Sequence, residues 1–216
     1  MFFSLKIPSK ACKMKAITCM EVADLDDTSQ KIIDAAMHCI REKGYAATTT
    51  REIAGRAGVN ECTLFRKFKS KKEIILQGVS QAEWRANITP DAFSRVEWDL
   101  QADLEMFLRT YMDRMTADFV KLSIGLRAPQ IYEETAPHIM KVPQVFLTAL
   151  TDYLNRMCEK GKVPEQDFGS LALTIFSTAF GYTFLNASFG KKLTDVEKED
   201  YIKNSVQVLI NGIMHG

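Results

Sequence analysis

Hydrophobic side chains recur every three to four positions along most of this chain, a spacing that places them on one face of an α-helix. These stretches begin near Asp27 and continue to Met214, and they are separated by Gly and Pro residues. No stretch of useful length alternates apolar and polar residues as a strand does, and the sequence contains no internal repeat. The pattern therefore predicts an all-α fold.

Capping signals divide the first part of the chain into four predicted helices. Before each hydrophobic run stands a polar residue that can accept a hydrogen bond from a helix N-terminus, and two of these have Glu three positions later, as in a capping box. The first helix is predicted to end at Gly44 and the fourth to continue to about Asn87. The turn at Gly58 between the second and third helices predicts a helix-turn-helix. The four caps, in chain order, are Asp27 or Thr28, Thr49, Asn60 and Ser70.

The chain beyond Pro90 keeps the helical pattern. One segment, residues 166–188, is apolar nearly all round, which implies that it is buried on all of its faces. The five helices predicted here are residues 99–116, 119–127, 143–160, 166–188 and 195–214.

The composition narrows the class of protein. Of 216 residues, 46% are hydrophobic and 25% are charged, which supports a real core and excludes disorder over most of the length. There is no run of 18 apolar residues, so no membrane-spanning helix is expected, and Lys6 and Lys10 interrupt the apolar start, which argues against a signal peptide. The five cysteines are scattered without a CxxC pair, which predicts reduced thiols, no metal site and a cytoplasmic protein.

The charge is unevenly distributed, although the net charge is only +1. Residues 1–90 carry an excess of five positive charges, and residues 91–216 an excess of four negative ones. Nine basic and three acidic residues lie within 41–72. This basic segment suggests an anionic partner, with nucleic acid first, although on charge alone a solvated, unpaired surface is favoured.

Residues 44–72 read GYAATTTREIAGRAGVNECTLFRKFKSKK. This stretch resembles the DNA-binding domain of the tetracycline-repressor (TetR) family of bacterial transcription regulators. The matching pieces are the Gly-Tyr after the first helix, the Thr pair, Ile-Ala, Ala-Gly-Val, Thr-Leu before an aromatic residue, a final Phe, and Ser-Lys. The resemblance covers about residues 28–85, and the remainder matches only as an all-α domain of the expected length.

The resemblance implies a homodimeric repressor that binds a palindromic double-stranded DNA operator and is released by a small molecule. It divides the chain into a flexible N-terminal arm of residues 1–27, a helix-turn-helix DNA-binding domain of residues 28–72, and a helical ligand-binding and dimerisation domain of residues 73–216. The lysines of the arm could reach a minor groove, but an inert tail is favoured. The natural start at Met1, Met14 or Met20, the operator, the effector and the sense of regulation are left open.

Small and polar side chains at the start of the third helix meet the requirement for close approach to base edges. These are Asn60, Glu61, Cys62 and Thr63. The resemblance implies groove contacts from Arg51, Glu61, Cys62, Thr63 and Phe65, and phosphate contacts from Thr49, Thr50, Lys67 and Lys71. Because Glu61, Cys62, Phe65 and Lys67 depart from the residues common in the family, the half-site sequence is not predicted.

The last two predicted helices carry the expected dimer interface. Small residues on the apolar helix allow close approach of a second subunit, and apolar residues on the final helix complete a four-helix bundle. The residues predicted to take part are Ser177, Gly181, Phe184, Ile202, Val206, Leu209 and Ile213.

Aromatic and methionine side chains of the second domain predict an adaptable apolar pocket for a small hydrophobic or aromatic effector, with no cofactor. A fully packed core is the alternative for the same residues. The predicted pocket consists of Trp84, Phe107, Tyr111, Met115 and Phe180.

Two other classes of function compete with this interpretation. An enzyme is disfavoured because His38, His138 and His215 lie far apart in sequence and no nucleophile, dinucleotide or P-loop motif is present. A helical small-molecule-binding protein without DNA activity remains the second alternative.

Overall fold

The computed structural model describes residues 26–215, and every regular element in that range is helical. The prediction of an all-α fold is confirmed. The alternative starts lie outside the described residues. The predicted arm also lies outside them, apart from Asp26 and Asp27. The helices are α1 (Asp27–Ala47), α2 (Thr50–Arg56), α3 (Glu61–Lys67), α4 (Lys71–Ser80), α5 (Leu100–Arg114), α6 (Ala117–Gly125), α7 (Tyr132–Glu159), α8 (Phe168–Phe189) and α9 (Lys198–His215).

Side-chain caps fix the starts of the first four helices at or beside the predicted positions. Asp26 caps α1 by accepting from the Ser29 N–H at 2.8 Å, one residue before the predicted cap. The other three caps are those predicted, with acceptor distances of 2.7 to 3.2 Å, from Thr49, Asn60 and Ser70.

Two predicted helix boundaries are wrong. α4 ends at Ser80 instead of continuing to about Asn87, because Gln81 is extended with ψ 146° and a short 3-10 turn, Ala82–Trp84, follows. α7 begins at Tyr132 and runs through Pro143, where the sequence predicted a start. Buried residues on both sides of that proline anchor the helix, so tertiary packing overrides the local breaking tendency of proline.

The buried apolar residues form two clusters. One cluster holds the inner faces of α1 to α4, and it also includes Leu122 of α6, Leu126 just after α6 and Ile131 just before α7. The second cluster joins α5, α7, α8 and α9 around Phe107 and Phe146. The core beneath the helix-turn-helix is therefore completed by residues that come much later in the chain. The domain boundary after residue 72 stays a prediction.

The closest approach between these two parts of the chain lies where α6 crosses α1. A Cβ placed on Gly125 would lie 2.5 Å from the Ile40 carbonyl oxygen and 3.3 Å from the Cα of Gly44. α1 is itself interrupted at Gly44, where φ is 77°. Only glycine permits this contact between backbones.

One described helix, Phe168–Lys192, is long and apolar enough to cross a membrane, judged by length and composition alone. Its inner face packs into the second cluster through Ala172, Ile175 and Ala179. Its outer face leaves Leu173, Phe180, Leu185 and Phe189 exposed. The sequence predicted burial on all faces, and within one protomer only the inner face is covered.

Gly125→Ala is expected to destabilise the fold by about 1–3 kcal/mol, because the added methyl group meets backbone atoms that cannot rotate away. The matched control is Gly212→Ala, a helical glycine where a Cβ would meet nothing within 4 Å. Urea unfolding of both variants measures the difference. Equal stability of the two variants would contradict the close α1–α6 contact.

Candidate nucleic-acid interface

The turn between α2 and α3 is built by a positive-φ glycine. Gly58 has φ 71°, and the Val59 N–H that follows it donates to the Ala54 carbonyl at 2.9 Å. This closes α2 in the way that a C-terminal glycine commonly does and directs the chain into α3. The short helices α2 and α3 thus stand in the helix-turn-helix arrangement predicted from the sequence.

α3 has one face in the core and one face in solvent. Leu64 and Phe68 are buried. Cys62 is exposed and Phe65 is 52% exposed, which is unusual for a large apolar side chain without a partner surface. The exposed face of α3 is therefore available to a base-pair edge, with the ring of Phe65 suited to a thymine methyl group.

A hydrogen bond ties the starts of α2 and α3 together. The Thr50 hydroxyl donates to the Glu61 carboxylate at 2.7 Å, while Thr49 is occupied as the cap of α2. This bond fixes one oxygen of Glu61 beside the recognition helix, although a second oxygen is left to accept from a cytosine amino group. One end of the recognition helix α3, called the reader helix from here on, therefore brings together four predicted contact residues: Thr49, Thr50, Asn60 and Glu61.

Lys67, a predicted phosphate contact, forms an ion pair with Asp26. The Lys67 ammonium, followed by the backbone N–H of Ser29, lowers the pKa of Asp26 to about 2. The same carboxylate thus caps α1 and neutralises the last residue of α3. A phosphate that binds Lys67 therefore competes with Asp26 for the same ammonium.

Lys71, a predicted phosphate contact, has a structural role as well. Its ammonium donates to the carbonyls of Tyr45 at 2.7 Å and Thr48 at 2.6 Å, and it lies 3.9 Å from the centre of the Tyr45 ring. Partial burial lowers the pKa of Lys71. Two of its three donors therefore tether the end of α1 to the start of α4, and only one donor remains for a phosphate.

Most of the basic residues in residues 41–72 are paired with carboxylates. The five ion pairs are Arg41–Asp118, Lys43–Glu52, Arg56–Glu42, Lys67–Asp26 and Lys72–Glu134. Arg51, Arg66 and Lys69 are exposed and have no ion pair among the described residues. Sequence reasoning missed Arg66, which lies one helical turn after Cys62 on the reader face. Its position at i+4 from Cys62 was the available signal.

The predicted effector residues do not gather at one place. Because α4 stops at Ser80, Trp84 turns back onto α1, where its indole N–H donates to Asp34 at 3.2 Å and its ring meets His38 edge to face. The prediction that Trp84 lies beside Phe107 is therefore corrected.

Phe107 and Tyr111 are fully buried in a cluster of packed rings. Tyr111 lies 5.6 Å from Phe146 and 5.4 Å from Phe176, measured between ring centres. Phe180 stacks on Phe176 but is 36% exposed on α8. Of the five predicted residues, Met115 borders a cavity, which lies between α5, α6 and α8.

The residues predicted for the dimer interface separate into two groups. Ile202, Val206 and Ile213 are at most 2% exposed within their own protomer, so they cannot form a surface for a second one, and this part of the prediction is corrected. Their spacing along α9 follows the inner face of that helix. Ser177 is exposed, and Gly181, Phe184 and Leu209 are half-buried.

The capped pair α2 and α3, with a solvent-facing reader helix, defines a helix-turn-helix DNA-binding regulator. The family model described as bacterial regulatory proteins, tetR family, matches residues 32–77. YvkB of Bacillus subtilis, described as an uncharacterised HTH-type transcriptional regulator, is 31% identical over 86% of this chain and 97% of its own length. The chain belongs to the TetR family of transcriptional regulators, which places it with regulators and not with enzymes.

More distant relatives agree with this assignment. IcaR of Staphylococcus aureus, a negative transcriptional regulator of a biofilm operon, is 26% identical over 84% of this chain and 96% of its own length. The structure of the regulator FadR from Bacillus subtilis in complex with stearoyl-CoA matches with a TM-score of 0.60 at 21% identity, covering 85% of this chain and 98% of that one. The latter likeness shows a shared fold.

Asp26→Asn is expected to strengthen binding to random-sequence duplex DNA, because asparagine still caps α1 but no longer neutralises Lys67. The slope of log affinity against log salt should steepen by up to about one counterion. Fluorescence anisotropy over a salt series measures both quantities. Unchanged affinity and slope would exclude competition between Asp26 and phosphate.

The pH dependence of stability provides the control for this variant. Since the pKa of Asp26 lies below that of an unfolded aspartate (about 3.9), its stabilising contribution is present above about pH 4 and is lost as pH falls toward 2. The stability difference between the wild type and Asp26→Asn should shrink over this interval.

Proposed function

We propose that the protein is a cytoplasmic homodimeric repressor that binds a palindromic operator and leaves it when a small effector binds the second domain. The observation that carries this proposal is the solvent-facing side of α3, where Phe65 is 52% exposed beside Cys62 and Arg66. IcaR is described as a negative regulator, and this supports repression rather than activation. A dimer presents two such helices related by a two-fold axis, which matches a palindromic site.

The outer face of α8 supports the homodimer. Along its centre run the small residues Ser177, Gly181 and Ser188, and exposed Leu173 and Leu185 flank them. Small residues allow two helix backbones to approach closely, while the flanking apolar side chains supply buried area. Val208 and Met214 of α9 are exposed apolar side chains as well.

A hydrophobic or aromatic effector is part of the proposal. The FadR structure that shares this fold holds stearoyl-CoA, which supports small-molecule control. The packed rings around Phe107 and Tyr111 would have to separate to admit such a molecule. Ligand binding elsewhere in the second domain needs no such rearrangement.

A gel shift with the promoter region of the protein's own gene tests DNA binding. Thr63→Ala is expected to reduce the preference for this DNA over random sequence, because Thr63 begins the reader helix. Lys67→Ala is expected to weaken binding to both DNAs alike, because phosphate contacts carry no sequence information. Absence of any DNA binding by the wild type would contradict the proposed function.

Gly181→Arg is expected to give folded monomers, since a Cβ at this position meets nothing within 4 Å inside the protomer. Gly55→Arg on α2 is the control, because that glycine is equally open but lies away from α8. Sedimentation velocity reports the oligomeric state, and circular dichroism reports the fold. A dimer that persists in Gly181→Arg would exclude this face as the interface.

A further inference from the structure

A cavity of about 310 Å³ lies where the end of α5, the start of α6 and the last turns of α8 meet. The segment that leads into α9 also lines it, and the cavity is partly open to solvent. Its volume corresponds to roughly ten water molecules at about 30 Å³ each, at the lower end of the range for small-molecule sites. The cavity is therefore large enough for a short-chain organic molecule.

The cavity wall combines two buried methionines with polar residues that are mostly exposed to solvent. The methionines, Met112 and Met115, are 7% and 9% exposed, and methionine side chains adapt readily to a ligand's shape. Among the polar residues, the amide of Asn186 has no side-chain hydrogen bond within the described range. It offers both a donor and an acceptor to a ligand.

The basic side chains of the wall are already paired, and the remaining carboxylate, Asp195, is exposed to solvent, so a cationic head would gain little from it. Lys191 pairs with Glu197 at 2.8 Å, and Lys198 pairs with Asp113. A ligand carboxylate would have to break one of these pairs to gain a cation. The cavity consequently favours a polar head without charge.

The position of the cavity connects it to the DNA-binding helices. Ala117, the first residue of α6, lines the cavity, and the next residue, Asp118, accepts from Arg41 of α1 at 2.7 Å. At the other end of the same helix, about 12 Å away at ~1.5 Å per residue, Gly125 lies against the backbone of α1. A shift of α6 is thus transmitted to α1 at both ends.

We propose that this cavity binds a small uncharged amphiphile, with its apolar tail against Met112 and Met115, and that α6 transmits its occupancy to α1. The inference deepens the proposed function by assigning a site and a chemical class to the effector. A ligand that binds one arrangement of α6 better than the other shifts the orientation of the reader helices.

The test uses the full chain labelled with ¹³C at the methionine methyl groups. Three probes with the same chain length and different heads, 1-octanol, octanoate and octylammonium, are titrated while the methyl resonances are recorded. Saturable shifts centred on Met112 and Met115, at lower concentration for 1-octanol than for either charged probe, are the expected result. Tighter binding of a charged probe, or no saturable shift at these two methyl groups, would overturn the proposal.

A blocking variant and its matched control localise the site. Ala117→Trp places a large ring at the cavity wall and should abolish the shifts. Ala102→Trp makes the same change at an exposed alanine in the first turn of α5 and should leave them intact. Shifts that survive Ala117→Trp would place binding elsewhere and overturn the assignment.

Promoter DNA affinity, measured with and without saturating 1-octanol, tests transmission. A change of about five-fold or more is expected, at the lower end of typical allosteric coupling, and it should diminish in Asp118→Asn, which removes the charge that faces Arg41. Saturable binding with unaltered DNA affinity would overturn transmission. If the unliganded chain fails to bind DNA, the proposed function fails, while the methyl shifts still decide the cavity.

Discussion

The contact between α1 and α6 is the constraint on which the rest of the structure depends. At Gly125 the two backbones approach so closely that no side chain fits between them, and Leu122 and Leu126 enter the core beneath the helix-turn-helix. Close-packed interiors respond to displacement by moving as units. The two parts of the molecule are therefore mechanically joined, although each has its own apolar cluster.

The reader surface of the DNA-free protein is largely neutralised by its own carboxylates. Asp26 holds Lys67, and Glu52 holds Lys43, so binding to phosphate exchanges one partner for another. Such exchange makes non-specific attraction weaker than the basic composition of residues 41–72 suggests. The exposed side chains of Arg51 and Arg66 are not neutralised. The initial attraction to DNA phosphates therefore depends on a small number of groups.

Local signals predicted the fold well, whereas properties that depend on distant partners were not predictable. Thr49, Asn60 and Ser70 cap the predicted helices because a cap depends on neighbours within three residues. Val206 was predicted at the interface but is buried in its own protomer, since periodicity shows an apolar face without showing what covers it. Trp84 was misplaced because no Gly or Pro follows Ser80 to signal the end of α4. The ion pair of Asp26 was not predictable because its partner Lys67 lies 41 residues away.

The shared core under the reader has a consequence for how such regulators are recombined, in evolution or by design. Leu122, Leu126 and Ile131 are encoded far from α1 to α4, yet they complete that core. A chimaera joined after α4 would have an apolar cavity in the core beneath the helix-turn-helix. The incoming segment avoids this only if it supplies an equivalent α6 with its terminal glycine. The residues that form the DNA-binding unit are thus discontinuous in the gene. Effector specificity is most easily exchanged by altering residues around α5 and α8 while α6 is kept unchanged.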